Sequence, residues 1–104
     1  MKIEIDISIF TSSDGAFGSA TGSIELEVVP QVGDTISFVF PKAPGVLPLA
    51  GFAGLLRVTD RVFSAGGGSK ISLALEDITV PNADAARAVA EYLDKGFGLG
   101  VDTY

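Results

Sequence analysis

The sequence predicts a mainly β protein of the α+β class, in which a small antiparallel sheet of five to six strands is joined to one C-terminal α-helix. Up to residue 80, apolar and polar residues alternate in short runs separated by glycine and proline, as is typical of strands with one buried face. Beyond Pro81 the apolar residues recur every three or four positions, which is the period of a helix. A length of 104 residues is close to the commonest size of one domain, so we expect a single domain over residues 1–104.

The first two strands are predicted on either side of a glycine-rich stretch. In the first strand, four isoleucines alternate with charged or polar residues: Ile3, Ile5, Ile7 and Ile9. Residues 11–23 contain three glycines among serines and threonines, and they predict a long irregular connection. The alternation of Ile24, Leu26 and Val28 predicts a second strand, which ends at Pro30.

Three further strands are predicted before the helix. The third covers residues 35–40 and the fourth covers residues 55–63, where Asp60 falls in the inward row. The fifth covers residues 70–80, and its alternation changes phase at residues 76–77. One extra residue at that point would return both halves of the strand to the same face, and the change therefore predicts a β-bulge.

The helix is predicted from one apolar stripe: Ala85, Ala88, Val89, Tyr92 and Leu93. Asn82 is suited to the N-cap, Lys95 to the negative end of the helix dipole, and Gly96 to the C′ position that follows the helix. Apolar residues alternate again over residues 97–101, and they predict a short last strand that returns to the sheet.

Short strands joined by hairpin-length loops favour a sheet that curls into a small, partly open barrel, with the helix over one end or one face. This arrangement is similar in architecture to SH3-like and OB-like barrels. The analogy concerns shape alone, because no family motif accompanies it, and it implies no function.

A hairpin of the first two strands would keep their apolar faces together if Glu4 lay opposite Glu27 and Asp6 opposite Glu25. Four carboxylates would then share one exposed face, and opposed like charges are mildly destabilising. Either a hard cation or the arginines of the fourth strand could balance them. We favour the arginines, because calcium sites need ligands that converge from loops, and we expect no metal site.

Composition excludes several classes of function. The chain has no histidine and no cysteine, so it lacks Ser-His and Cys-His nucleophile systems and the commonest zinc ligands. Thirteen acids against seven bases give a net charge of −6, which would repel nucleic acid. The glycine-rich stretches do not match phosphate-binding motifs, and we expect no cofactor. We find no export signal and no membrane-spanning segment, and we expect a cytoplasmic protein without a membrane partner.

Carboxylates offer the remaining route to catalysis. A buried Asp60 would have a raised pKa unless it were paired, and perturbed carboxylates are enriched at active sites. Glu76 and Asp77 lie one hairpin away, so a small carboxylate-based enzyme is one hypothesis. A bulge near Asp60 would instead turn it toward solvent. A third hypothesis is an acidic inhibitor or immunity-type protein, whose binding to a basic partner would weaken with added salt.

The most informative feature is residues 41–56, PKAPGVLPLAGFAGLL, which we call the apolar segment. Its three prolines and three glycines are typical of a loop, yet nearly all its other side chains are apolar. Each apolar side chain left in water forgoes about 1.5–3 kcal/mol of burial, so we expect the segment to be covered. Either it folds back and completes the core, or a second chain covers it. We favour a non-enzymatic module that binds a protein partner or forms a homo-oligomer, with Leu47, Leu49 and Phe52 as contact residues.

Overall fold

The structure is a computed structural model that describes residues 2–39, 51–66 and 71–103. Within these residues the chain forms seven strands and one helix. In chain order they are β1 (Lys2–Thr11), β2 (Gly15–Glu25), β3 (Thr35–Ser37), β4 (Leu55–Phe63), β5 (Ile71–Leu75), β6 (Ile78–Val80), α1 (Ala83–Phe97) and β7 (Gly100–Thr103). The predicted class, mainly β with one C-terminal helix, is confirmed.

The sheet is open, and its pairing is mixed. Its strands lie in the order β3-β4-β5-β1-β2-β7, and β6 follows β5 along the same side of β1. Strand β1 is antiparallel to β2 but parallel to β5 and β6. The predicted antiparallel sheet of five to six strands is therefore corrected in both strand number and direction. Alternation along a strand shows which side chains are buried but not which way the neighbouring strand runs, so the parallel pairs left no mark in the pattern.

The glycine-rich stretch predicted as a long connection is the strand β2. A short turn at residues 12–14 joins it to β1, and the amide N–H of Asp14 donates a hydrogen bond to Oγ1 of Thr11 at 2.9 Å. The glycines serve close packing: a Cβ on Gly18 would clash with the backbone of Asp102 in β7. The prediction of an irregular connection is wrong because these glycines allow neighbouring backbone to approach a strand, rather than break it.

The bulge predicted at residues 76–77 is confirmed. Asp6 of β1 pairs with Ala74 of β5, and Ile9 of β1 pairs with Ile78 of β6. Three steps along β1 therefore correspond to four steps along the neighbouring chain. The extra residue keeps the apolar side chains of both β5 and β6 on the inner face.

The helix α1 covers the inner face of the sheet beside β1, β2, β6 and β7. Its buried residues are Ala86, Val89, Tyr92 and Leu93. Asn82 is the N-cap, as predicted, and its side chain accepts a hydrogen bond from the amide of Ala85 at 2.9 Å. The helix continues past Gly96 and is capped by Gly98, which has a φ of 70° and donates its N–H to the carbonyl oxygen of Asp94 at 2.9 Å. Gly96 therefore lies inside the last turn, and the prediction that it follows the helix at C′ is wrong.

Candidate interaction surface

The helix holds the chain on both sides of residues 40–50. Phe38 precedes the apolar segment and Phe52 lies within it, and both side chains are buried. The hydroxyl of Tyr92 donates a hydrogen bond to the carbonyl oxygen of Phe38, and its ring lies edge-on to Phe52, with 6.1 Å between the ring centroids. Phe97 completes the cluster, 5.2 Å from the ring of Phe38 and 5.8 Å from that of Tyr92. The chain therefore leaves and re-enters the core at one place, beside the C-terminal half of α1.

Of the three predicted contact residues, Phe52 lies in the described part of the chain. Its side chain is 3% exposed and packs against Tyr92. At Phe52 the apolar segment is therefore buried by its own chain, as the alternative in which the segment folds back and completes the core predicts. Leu47 and Leu49 lie outside the described residues.

Exposed apolar side chains lie where the apolar segment meets the sheet. Ser37 of β3 is opposite Leu55 of β4, and the neighbouring Ile36 is buried on the inner face. Because side chains alternate along a strand, Leu55 lies on the outer face. Val39 follows Ser37 by two residues, just beyond the end of β3, and is exposed as well. Leu55 and Val39 are 55% and 49% exposed. We call Val39 and Leu55 the outer patch.

A cleft of about 360 Å³ lies on the other side of β3, between β3 and the end of β2. It is lined by Ser23, Ile24, Glu25, Leu26, Ile36, Ser37, Phe38 and Phe97. They belong to β2 and β3 or directly follow those strands, except Phe97, which is the last residue of α1. The strands β2 and β3 are not neighbours in the sheet. The cleft is therefore the gap in the open sheet, and its volume is at the lower end of the range for ligand sites.

A second bulge, which the sequence left as an alternative, lies in β4. Val58 pairs with Leu75, and Asp60 pairs with Ala74, so Thr59 is an extra residue between them. The extra residue reverses the alternation of the strand. Asp60 consequently faces outward and is exposed, although its position in the sequence suggested the inward row.

The three carboxylates of the enzyme hypothesis are all exposed. Glu76 belongs to the strand pairing: its Oε1 accepts a hydrogen bond from the amide of Arg57 at 3.0 Å, and its own amide donates to the carbonyl oxygen of Arg57 at 2.9 Å. Asp60 and Asp77 are on the surface as well. In the part of the chain that the structure describes, no group of three or more acidic residues could hold a metal ion.

The carboxylate pairs predicted between the first two strands do not form. Because β2 begins at residue 15, its register differs from the predicted one, and Glu4 lies opposite Ser23. The hydroxyl of Ser23 donates a hydrogen bond to the carboxylate of Glu4 at 3.1 Å. Asp6 lies opposite a threonine, and Glu25 lies opposite Lys2. The expected concentration of negative charge is thus replaced by polar and oppositely charged neighbours.

One surface that the sequence analysis did not single out is the far end of β4. Val62 and Phe63 are 55% and 58% exposed. The guanidinium carbon of Arg61 lies 5.1 Å from the centre of the Phe63 ring, a cation–π contact. The available signal was two consecutive apolar residues directly before a glycine-rich stretch of sequence, because neighbouring side chains of a strand point to opposite faces and one core cannot cover both.

Within the residues that the structure describes, no helix has the length and apolar character needed to cross a membrane. Comparisons with known proteins give no match: the chain fits no protein-family model, and no curated protein or solved structure is significantly similar to it.

Proposed function

We propose that this chain is a non-enzymatic protein-interaction module that associates with itself through the apolar segment. The observation that supports this function most directly is the outer patch. Val39 and Leu55 stay about half exposed at the two places where residues 40–50 meet the sheet. Covering them would contribute on the order of 1 kcal/mol each, about half the value for a fully exposed aliphatic side chain.

A second copy of the chain is the partner that the charge distribution favours. The chain carries 13 acids and 7 bases, so two copies repel each other over most of their surfaces. Between Asp34 and Asp60, however, the sequence contains no acidic residue. The apolar segment and the outer patch both fall within this stretch, where the approach of a second copy meets the least repulsion.

The three predicted contact residues take different roles in this proposal. Leu47 and Leu49 are the contacts with the second copy. Phe52 is an anchor within its own chain, because it packs against Tyr92 in the core. The hydrogen bond from Tyr92 to Phe38 holds the chain before the segment in the same way. A segment held at both ends loses less conformational entropy on binding than a free loop does.

The test is sedimentation equilibrium of the native protein and of a double variant, Leu47→Asp with Leu49→Asp, at micromolar concentration. The matched control is Val28→Asp with Ala88→Asp, which makes the same changes in charge at two exposed apolar positions elsewhere. We expect the segment variant to have at most half the mass of the native protein, whereas the control keeps the native mass. Urea unfolding of both variants checks that they are folded.

Two outcomes would overturn the proposal. If the segment variant is folded and keeps the native mass, then Leu47 and Leu49 do not contact a second copy. If the segment variant unfolds while the control does not, the leucines belong to the core of a single chain, which is the other alternative for the segment.

A further inference from the structure

The far half of β4 has one strand edge without a partner among the described residues. We call residues 60–63 the β4 edge. On one side, these residues pair with β5. On the other side, β3 pairs with β4 at residues 55–57, and the amide of Gly33 donates to the carbonyl oxygen of Val58 at 2.9 Å, where the pairing ends. All four side chains of the β4 edge are exposed. Unpaired amide and carbonyl groups beside exposed apolar side chains form a template for another strand.

The side chains of the β4 edge point to defined faces of the sheet. Arg61 pairs with Leu73, which is buried on the inner face, and the cation–π contact places Phe63 on the same side as Arg61. Val62 pairs with Ser72 and lies on the outer face together with Asp60. The inner face of the edge therefore carries an arginine and a phenylalanine, and its outer face carries a valine and an aspartate.

We propose that two copies of this chain join through their β4 edges as an antiparallel pair, related by a two-fold axis that passes beside Val62. Such an axis, perpendicular to the sheet, makes one continuous sheet from two copies and keeps the inner and outer faces continuous. Opposed residues must then share a face, so the axis has to pass beside a residue rather than between two residues.

Charge and the end of the strand select one register among these. An axis beside Phe63 would set Val62 opposite Ser64 of the partner subunit, which lies beyond the end of β4. An axis beside Arg61 would set two arginines opposite each other, and an axis beside Asp60 would set two aspartates opposite each other. An axis beside Val62 sets the two valines opposite each other on the outer face. It also sets Arg61 opposite Phe63 of the partner subunit, repeating between copies the cation–π contact that exists within one chain at 5.1 Å. This register opposes no like charges, and it places one acid and one base of each copy at the contact.

This inference goes beyond the proposed function and does not depend on it. The outer patch includes Leu55, whereas the proposed two-fold axis passes beside Val62, seven residues further along the strand. At about 3.3 Å per residue the two positions are about 23 Å apart. A contact at one end of β4 can therefore be removed without changing the other.

The absence of cysteine from the chain allows a direct test of the register by disulfide formation. Opposed residues of an antiparallel pair have Cα atoms about 4.5–5.5 Å apart, within the range of disulfides. In the full chain, we expect Val62→Cys to give a covalent dimer under mild oxidation at least tenfold faster than Arg61→Cys. The control Val28→Cys carries its thiol outside the sheet at a valine that is 71% exposed, against 55% for Val62, and it should be as slow as Arg61→Cys. Equal rates for Val62→Cys and Val28→Cys would overturn the pairing, and a faster reaction of Arg61→Cys would overturn the register.

Sedimentation equilibrium separates this inference from the proposed function. We expect the double variant Leu47→Asp with Leu49→Asp, which serves as the background protein, to be a dimer. Adding Val62→Lys should convert this dimer to a monomer, whereas adding Val28→Lys should leave it a dimer. Val62→Lys would oppose two lysines across the two-fold axis. A background protein that is already monomeric refutes the β4 pairing while leaving the proposed function standing. Conversely, a background protein with the native mass refutes the proposed function, and the effect of Val62→Lys still decides on the β4 pairing.

Discussion

The hydrogen bond between Tyr92 and Phe38 yields the sharpest stability prediction. Tyr92 is 8% exposed, and its hydroxyl donates to a backbone carbonyl oxygen of a residue that is 1% exposed. The variant Tyr92→Phe removes only the hydroxyl. It leaves the edge-on ring contacts with Phe52 and Phe97, at 6.1 and 5.8 Å between centroids. Any change in stability therefore reports on the hydrogen bond and not on ring packing.

The expected loss follows from the carbonyl group that stays behind. A buried acceptor that loses its donor costs about 1–3 kcal/mol, because water cannot replace the donor. We expect the free energy of unfolding of Tyr92→Phe to fall by that amount, and each kcal/mol lowers Tm by about 4–8 °C in a domain near this size. Tyr92→Leu should lose more, by about 0.5–1.5 kcal/mol for each of the two aromatic contacts.

Urea unfolding followed by circular dichroism measures these differences. The control is Ser23→Ala, which removes a hydroxyl that donates to Glu4 on the exposed face, and it should change stability by less than about 0.5 kcal/mol. If Tyr92→Phe is as stable as the native protein while Tyr92→Leu is destabilised, the ring alone holds the chain at this point. The reasoning from the buried carbonyl would then be refuted.

Three further predictions concern glycines and the end of the helix. We expect Gly18→Ala to lower the free energy of unfolding by about 1–3 kcal/mol, because its Cβ would displace β7. If urea unfolding shows that this variant is as stable as the native protein, β7 does not pack against Gly18. Gly96→Ala should stabilise the protein by about 0.5–1 kcal/mol, since no atom lies near its added Cβ. Gly98→Ala should destabilise it by about 1–2 kcal/mol, because Gly98 has a φ of 70°. If urea unfolding finds Gly98→Ala more stable than Gly96→Ala, the cap is Gly96 and not Gly98. Lys95 donates a hydrogen bond to Glu91 and lowers the pKa of that carboxyl, so Lys95→Met should raise this pKa in an NMR titration, and an unchanged pKa would contradict the pair.

The sequence predicted β1 and β4 correctly, but the strand predicted from Ile24, Leu26 and Val28 is wrong, because β2 ends at Glu25. The isoleucines of β1 and the span of β4 match the structure, and the phase change before β6 located a bulge correctly. The N-cap Asn82 was predictable because its side chain acts on the helix beside it. Local interactions of this kind leave a signature within a few residues, which is why they can be read without knowledge of the fold.

Predictions failed where a residue responds to chain that is distant in sequence. The glycines of β2 resemble those of a loop, and only the close approach of β7, about eighty residues later, shows why Gly18 lies in a strand. The carboxylate pairing of Glu4 failed for the same reason, because it depended on where β2 begins. Strand direction failed as well, since the parallel pairing of β1 with β5 joins residues that are far apart in the chain.

The outcome for Asp60 shows why candidate site residues are harder to predict than strands. The limits of β4 were correct, yet Asp60 was placed on the wrong face because one extra residue, Thr59, reverses the alternation that follows it. The same residue sets the orientation of Val62 and Phe63. A bulge of a single residue thus moved the candidate acid to the surface and also determined which side chains the β4 edge presents.

The two proposed contacts together constrain the assembly. The β4 pairing joins identical surfaces across a two-fold axis, and we propose the same for the contact through the apolar segment. The outer patch and the β4 edge lie toward opposite ends of β4. If the two axes intersect at right angles, the chains close into a tetramer, whose mass stays constant once it has formed. If the axes do not intersect, each added copy exposes another contact, and the assembly grows into an open chain. A native mass that rises without limit as concentration increases would therefore indicate open growth, whereas a plateau at four chains would indicate closure.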